Sequence, residues 1–241
     1  MNIFLYDDYL DKYKKKVRKI EETLNKLNLQ GKILYLSNIK NIDNALQNEI
    51  NSGAKTIVVV GNNKTLNNIV NILANISEKI PVSIIPVGPN NSIAESLGVI
   101  NEKEACYILS SRRLENINLS IANNRFFIKD VYIESKNTIF NIDNSYKMIF
   151  HKKGDCFIFN IPPKEEFLND QKMEIKENIL NLYVKIGSKS KTYLKTKKIE
   201  IENKEESAII DNSIKIKTPI LVEPTNKKIL LIVGKNRTFS Q

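Results

Sequence analysis

The chain has 241 residues and a formal net charge of +10, from 37 Lys and Arg against 27 Asp and Glu. That length buries one full core or two small ones, and an apolar fraction of 41% in periodic segments excludes a disordered chain. No apolar run is long enough for a membrane-spanning helix, and MNIFLYDDYLDKYKKK places acids straight after a short apolar run, the wrong order for a signal peptide. A cytoplasmic setting is expected, with peripheral attachment at a membrane surface as its one extension. Cys106 and Cys156 are far apart and read as ordinary buried thiols, and the single His151 argues against serine–histidine chemistry and a histidine-built zinc site. Thirty-two of the bases are Lys, while Ile and Asn reach 37 and 32. These three share A/T-rich codons, so the charge reads as diffuse compositional drift, and no nucleic-acid partner is expected.

In chain order, Asn2–Tyr6 predicts a first strand. Asp8–Asn28 predicts a helix with Leu10, Tyr13, Val17, Ile20, Leu24 and Leu27 on one stripe. Gly31 breaks it, and Lys32–Leu36 follows as a strand. Asn41–Asn51 predicts a helix stopped at Gly53. Thr56–Val60 (TIVVV) is continuous and β-branched, as expected of a strand covered on both faces. Thr65–Ile76 is the next helix, Pro81–Ile85 the next buried strand, and Ile93–Leu97 and Lys103–Arg113 are further helices. This alternation predicts a doubly wound parallel α/β lobe over residues 1–115.

Over residues 116–241 the period changes to two, with short strands and polar turns that predict a mostly antiparallel β-sandwich lobe. Near the C-terminus, Ile220–Val222 and Lys228–Val233 read as a pair of strands, and Pro162–Lys176 as a polar loop. The many strand edges of this lobe suit homo-oligomer formation.

Two turns carry candidate chemistry, because ligands of an open parallel sheet sit beyond its C-terminal strand ends. After TIVVV come Gly61, Asn62, Asn63 and Lys64, with Thr65 as the expected helix cap; this suits a phosphate at a helix N-terminus. After VSIIP come Val87, Gly88, Pro89, Asn90 and Asn91, with Ser92 able to cap the next helix. Asp7 and Asp8, after the first strand, either reach the same edge as weak metal ligands or complement the dipole of the following helix.

Together, TIVVVGNNKTLNNIVNIL and VSIIPVGPNNSIAESLGV resemble the catalytic domain of the diacylglycerol kinase and lipid kinase family, a relative of NAD kinase. Gly61 and Thr65 keep the ends of its GGDGT motif, and Leu66 and Asn67 continue it. Pro86, Gly88 and Asn91 keep places in its PLGTxND motif. AIIDNSIKIKTPILVEP resembles its third, DGE-containing segment. The resemblance implies an N-terminal α/β lobe with a C-terminal β-sandwich, ATP and magnesium as cofactors, and transfer of the γ-phosphate to a lipid hydroxyl. It implies nucleotide contacts at Gly61, Asn62, Asn63, Lys64, Thr65, Gly88, Asn91 and Ser92, with Asp211 and Ser213 at the catalytic position. Asp211 joins Asp7 and Asp8 as a metal candidate. The sequence departs from the family at its working polar positions. Asn63 stands for the motif Asp, Asn62 and Lys64 for glycines, and Asn212 and Ser213 for the Gly and Glu of DGE. These departures leave two readings: a divergent ATP-dependent lipid kinase, or a catalytically inactive nucleotide- or lipid-binding regulatory protein on the same fold.

Overall fold

The computed structural model describes residues 1–161, 163, 178–187 and 190–239. The predicted loop Pro162–Lys176 lies outside the described residues apart from Pro163. The chain forms two units, one of Met1–Ile117 with Lys228–Arg237 and one of Asn118–Lys227 with Thr238–Gln241. The C-terminal segment Lys228–Arg237 therefore joins the first unit, whereas its period-two pattern alone groups it with the second.

The first unit is built on parallel strands β1 (Asn2–Tyr6), β2 (Gly31–Tyr35), β3 (Thr56–Gly61) and β4 (Val82–Pro86), in the order β2-β1-β3-β4. All six residues of β3 are buried, which accounts for its unbroken β-branched run. Leu231 extends the sheet by pairing in parallel with Val82. The helices are α1 (Lys14–Lys26), α2 (Ile42–Asn51), α3 (Asn63–Leu73), α4 (Ser92–Ser96) and α5 (Glu102–Ser111). The long N-terminal helix expected over Asp8–Asn28 is divided, with a 3-10 helix over Asp8–Tyr13 before α1. Gly31 opens β2 rather than ending the helix, and Asn28, at φ +54°, makes the left-handed exit. A Cβ on Gly31 would lie 2.2 Å from the Asn2 carbonyl oxygen. Asparagine also starts helices, since Asn41 and Asn101 accept N–H bonds from Asn44 and Glu104, each at 2.9 Å.

The second unit is antiparallel. One sheet runs Ser190–Thr196, Leu180–Ile186, Asp155–Phe159, Asp130–Glu134, Ser207–Ile210, Ile214–Lys217 in spatial order. Thr138–Ile142 pairs with Tyr146–Phe150 and Ile199–Glu202, and the latter pairs with Ile220–Val222. Phe127, Val131, Phe140, Ile158, Leu182, Ile199, Ile210 and Val222 fill one core between these layers. The expected pair Ile220–Val222 and Lys228–Val233 is instead one strand, Ile220–Ile232. Pro224 reads as a break in the sequence, yet the backbone stays extended through it. Among the described residues no helix is long and apolar enough to cross a membrane.

Two hairpins of this unit share the string Ile-Asp-Asn-Ser-X-Lys, at 142–147 and 210–215. In both, the central Asp and Asn have positive φ: Asp143 +49° and Asn144 +54°, Asp211 +49° and Asn212 +53°. The following Ser N–H closes each turn on the Ile carbonyl, at 2.9 Å from Ser145 and 3.0 Å from Ser213. Each is a three-residue loop, between the paired Ile142 and Tyr146 and between the paired Ile210 and Ile214, whose first two residues take the left-handed region. Asn212 is exposed, so its backbone geometry dominates its contribution. Asn212→Ala is expected to lower stability by about 1–2 kcal/mol through left-handed strain, and Asn212→Gly to match or exceed the parent in urea unfolding.

Candidate nucleotide-binding site

With parallel strands in the order β2-β1-β3-β4, the order of strand addition reverses between β1 and β3. The turns after these two strands flank that switch point, and the structure ties them together. Asp7 donates its N–H to the Val60 carbonyl at 3.3 Å, and the Thr65 hydroxyl donates to the Asp7 carboxylate in a short hydrogen bond. Asp7 also accepts from Tyr9 N–H at 3.4 Å as cap of the 3-10 helix. Asp7 thus caps the 3-10 helix and also reaches the Gly61–Thr65 turn. Asp8 is exposed and lines a pocket of about 350 Å³ beside Asp7, Tyr6 and Tyr35.

Gly61 ends β3, and α3 begins two residues earlier than Thr65. The cap is Asn62, whose side-chain oxygen accepts from Lys64 N–H at 3.0 Å and Thr65 N–H at 3.3 Å. Thr65 completes a capping box, its hydroxyl facing the Asn62 N–H at 3.5 Å. Asn62 holds the cap because its backbone is the extended residue before the helix, while Thr65 already lies in the first helical turn. A Cβ on Gly61 would lie 2.7 Å from the Thr65 hydroxyl oxygen, so glycine here is a consequence of that box.

Asn63 is fully buried and joins the two candidate turns. Its N–H bonds the Asn90 carbonyl at 2.9 Å, and its side-chain oxygen accepts from Ile93 N–H at 3.0 Å. Since a backbone N–H must face the oxygen, the amide nitrogen is fixed as the donor to the Ser92 hydroxyl, at 2.9 Å. The expected Ser92 cap is thus replaced. Ser92 lies inside α4, the preceding Asn91 makes no side-chain cap, and Asn63 reaches across to satisfy the helix start. Asn91 instead donates to the Gly88 carbonyl at 2.7 Å and stabilises the turn, while its amide oxygen is buried without a hydrogen-bond partner among the described residues.

Two aromatic residues complete the second turn: Tyr9, not singled out in the sequence, and Tyr13, expected only on the helix stripe. Gly88 has φ +78°, and a Cβ there would lie 3.2 Å from the Tyr9 and Tyr13 rings. Tyr9 donates its hydroxyl to the Val87 carbonyl at 2.7 Å. Burial, reinforced by the neighbouring Asp7 and Tyr13, pushes the Tyr9 phenol above its usual range, so it remains a donor at neutral pH. The only sequence signal for this pair was a Tyr-x-x-x-Tyr spacing, which also suits a core stripe.

Lys64 is exposed at the first turn of α3. The N–H groups of Asn63, Lys64 and Thr65 are all engaged within the protein. The start of α3 is therefore capped from within the protein rather than left as a bare helix end. Among the described residues no three His, Cys, Asp or Glu side chains gather as a metal site.

Asp211 and Ser213 belong to the second unit, in the second of the two matching hairpins. Asp211 is fully buried, and its carboxylate accepts from the backbone N–H groups of Ile128, Lys129 and Asp130 at 3.1, 2.7 and 3.3 Å. Asp143, its counterpart in the first hairpin, likewise accepts from Lys197 and Lys198 N–H, at 3.0 and 2.9 Å. The Ser213 hydroxyl is buried and finds no hydrogen-bond partner among the described residues. Neighbouring Asp130 pairs with Lys129 at 2.9 Å, with burial pushing its carboxyl up.

Replacing Asn63 with Ala would leave the Ile93 N–H and the Ser92 hydroxyl without this partner. A loss of about 1–3 kcal/mol in unfolding free energy is expected, against about 0.5 kcal/mol or less for Lys64→Ala at the exposed neighbouring position. Paired urea melts of the two variants measure the difference.

A family model described as the diacylglycerol kinase catalytic domain matches residues 10–121. No curated protein matches the chain. Among solved structures, a diacylglycerol kinase from Bacillus anthracis str. Sterne superposes with a TM-score of 0.71 at 19% identity, covering 97% of each chain. A second structure from the same strain is 18% identical over 98% of each chain, again with a TM-score of 0.71. An NAD kinase from Archaeoglobus fulgidus in complex with ATP is more distant, at 12% identity and a TM-score of 0.56 over 99% of this chain and 96% of that one. The superpositions establish the shared fold, and the matched segment contains both turns joined by Asn63. The family match thus rests on residues 10–121, under half of the chain, while over nearly its whole length the chain shares the fold of these diacylglycerol kinase and NAD kinase structures.

Proposed function

We propose that this chain is a non-catalytic nucleotide-binding protein built on the diacylglycerol kinase fold. The observation that carries the reading is the self-capped turn. Asn62 holds the two N–H groups that suit a phosphate oxygen, and Asn63 offers a neutral amide where the family motif has a carboxylate. Binding then proceeds by exchange. A nucleotide phosphate displaces the Asn62 oxygen, takes the Lys64 and Thr65 N–H groups, and gains the nearby Lys64 ammonium. A neutral acceptor gives way to an anion at a helix N-terminus, so the dipole favours the exchange.

Magnesium does not fit this donor set. It prefers carboxylate and phosphate oxygens in near-octahedral geometry, whereas the Asn62 and Asn63 oxygens accept backbone N–H groups and Asp7 accepts the Thr65 hydroxyl. The ATP named with the Archaeoglobus fulgidus NAD kinase supports nucleotide as the ligand class for a fold of this kind.

A second reading, an ATP-dependent lipid kinase, is favoured by one contact: the hydrogen bond that holds the Asp7 carboxylate at Thr65. Incubation with γ-labelled ATP, magnesium or manganese and a panel of hydroxyl-bearing lipids separates the two. No labelled lipid, together with metal-independent thermal stabilisation by ATP, is the expected result. At a ligand concentration of about 100 times Kd the stabilisation is about 2.7 kcal/mol. Label transfer above the no-protein control would select the kinase, and stabilisation by no nucleotide would overturn both. Asn62→Gly is expected to bind ATP several-fold more tightly at a stability cost of only a few tenths of a kcal/mol, because it exposes two N–H groups without removing the helix start. Calorimetric titration of the variant and parent checks this.

A further inference from the structure

The ends of β1 and β2 place two tyrosines side by side. Tyr6 and Tyr35 are partners in the parallel register, and their rings meet edge to face with centroids 5.6 Å apart. Both line the pocket of about 350 Å³ that also takes in Asp8, Asp11 and Glu21, a size that accommodates a small molecule. The chain runs β1-α1-β2 toward one edge of the sheet and β3-α3-β4 toward the other. Right-handed crossovers therefore set α1 and α3 on opposite faces. The pocket lies on the α1 side, away from the Asn63 clasp. Asp7 borders both, with its carboxylate committed to Thr65.

Tyr6 is 2% exposed, and its hydroxyl has no hydrogen-bond partner among the described residues. Buried polar groups are nearly always satisfied, so an orphaned oxygen on a pocket-lining residue marks a place for a donor from outside the chain. Glu21 lies beside the phenol without closing a hydrogen bond of normal geometry. Burial, and after it this carboxylate, push the phenol above its usual range, so it stays neutral. The lining carries Asp7, Asp8, Asp11 and Glu21 against Lys14 and Arg18, and Arg18 is already paired with Glu22 at 3.1 Å. In a chain of net charge +10, the local balance is negative. The carboxylates do not converge, since no three acids among the described residues gather as a metal site. A point-like divalent ion is therefore poorly matched. Separated carboxylates between aromatic and apolar walls instead match a cation whose charges are spaced by methylenes.

We propose that this pocket binds a small aliphatic polyammonium cation, a diamine or triamine. One ammonium group donates to Glu21 and to the orphaned Tyr6 oxygen, and another to Asp8 and Asp11. The methylenes between them lie against the Tyr6 and Tyr35 rings, which also attract the charged ends. Lys14 is exposed at the first position of α1, and its flexible stem lets the ammonium leave the pocket for water. The carboxylates repel phosphate, so the site is independent of the nucleotide reading.

The test is calorimetric titration of the full chain, without nucleotide, with spermidine and putrescine. Magnesium chloride and an uncharged aliphatic diol serve as controls at fixed ionic strength. Saturable one-to-one binding of the amines is expected, with none of the diol and little competition from magnesium. Asp8→Asn with Asp11→Asn should weaken binding about tenfold, and Glu21→Gln by a similar factor. Tyr35→Ala should weaken it about two- to fivefold. Asp8, Asp11 and Tyr35 are exposed, and thermal melts verify folding of every variant. Tyr6→Phe separates binding from structure: the variant should melt no lower than the parent yet bind roughly threefold more weakly. Absence of saturable binding, parental affinity in the Asp8 and Asp11 double variant or in Tyr6→Phe, or full displacement by magnesium would each overturn the proposal.

Discussion

The buried amide of Asn63 fixes the distance between the turns after β3 and β4, and the arrangement of the candidate site follows from it. Its side chain satisfies the start of α4 and donates to Ser92, and the backbone N–H of the same residue holds the Asn90 carbonyl. The second turn then leaves room for the Tyr9 and Tyr13 rings against Gly88. Tyr9 lies two residues after Asp7, which returns the connection to Thr65. The contacts form a closed circuit over three strand ends, so displacement at one position is felt at the others.

The composition acquires a structural meaning from the backbone. Of the ten non-glycine residues with positive φ among those described, Asn28, Asn90, Asn123, Asn137, Asn144, Asn178 and Asn212 are asparagine. The chain has only 8 Gly, and Asn is the residue that best tolerates the left-handed region without being glycine. Asn41, Asn62 and Asn101 in addition cap helices. Codon drift can supply asparagine, but turns and caps are where the fold retains it. The same tolerance lets Asn212 occupy a family glycine position without deforming the hairpin.

Local chemistry was legible in the sequence, and distant pairing was not. The buried strands β3 and β4 followed from continuous apolar runs, and the two-lobe pattern from the change of period. The turns were placed correctly because Gly61 and Gly88 end apolar runs. The cap at Asn62 was not legible, because Asn and Thr both cap helices and only backbone direction decides between them. Contacts of Asn63 with Ile93 and of Thr65 with Asp7 span 30 and 58 residues, beyond any periodicity. Asp211 shows the opposite difficulty. Its family motif marks it as catalytic, while the repeat of Ile-Asp-Asn-Ser at 142–145 marks the same string as an ordinary hairpin.

An aspartate at position 63 could accept from both Ile93 N–H and the Ser92 hydroxyl, so the clasp does not require the amide. Geometry therefore survives the replacement and charge alone is lost. Lys64, in the place of a family glycine, adds charge to the same turn and projects into water. Both changes move the local potential in the positive direction, one by removing an anion and one by adding a cation. On the proposed nucleotide-binding reading, a turn so altered would favour phosphate directly over a divalent cation that bridges to it. Phosphoryl transfer needs that metal-assisted neutralisation as charge spreads onto the leaving oxygens, whereas binding a phosphate does not. On that reading the paired replacements would separate affinity for the anion from the chemistry performed on it.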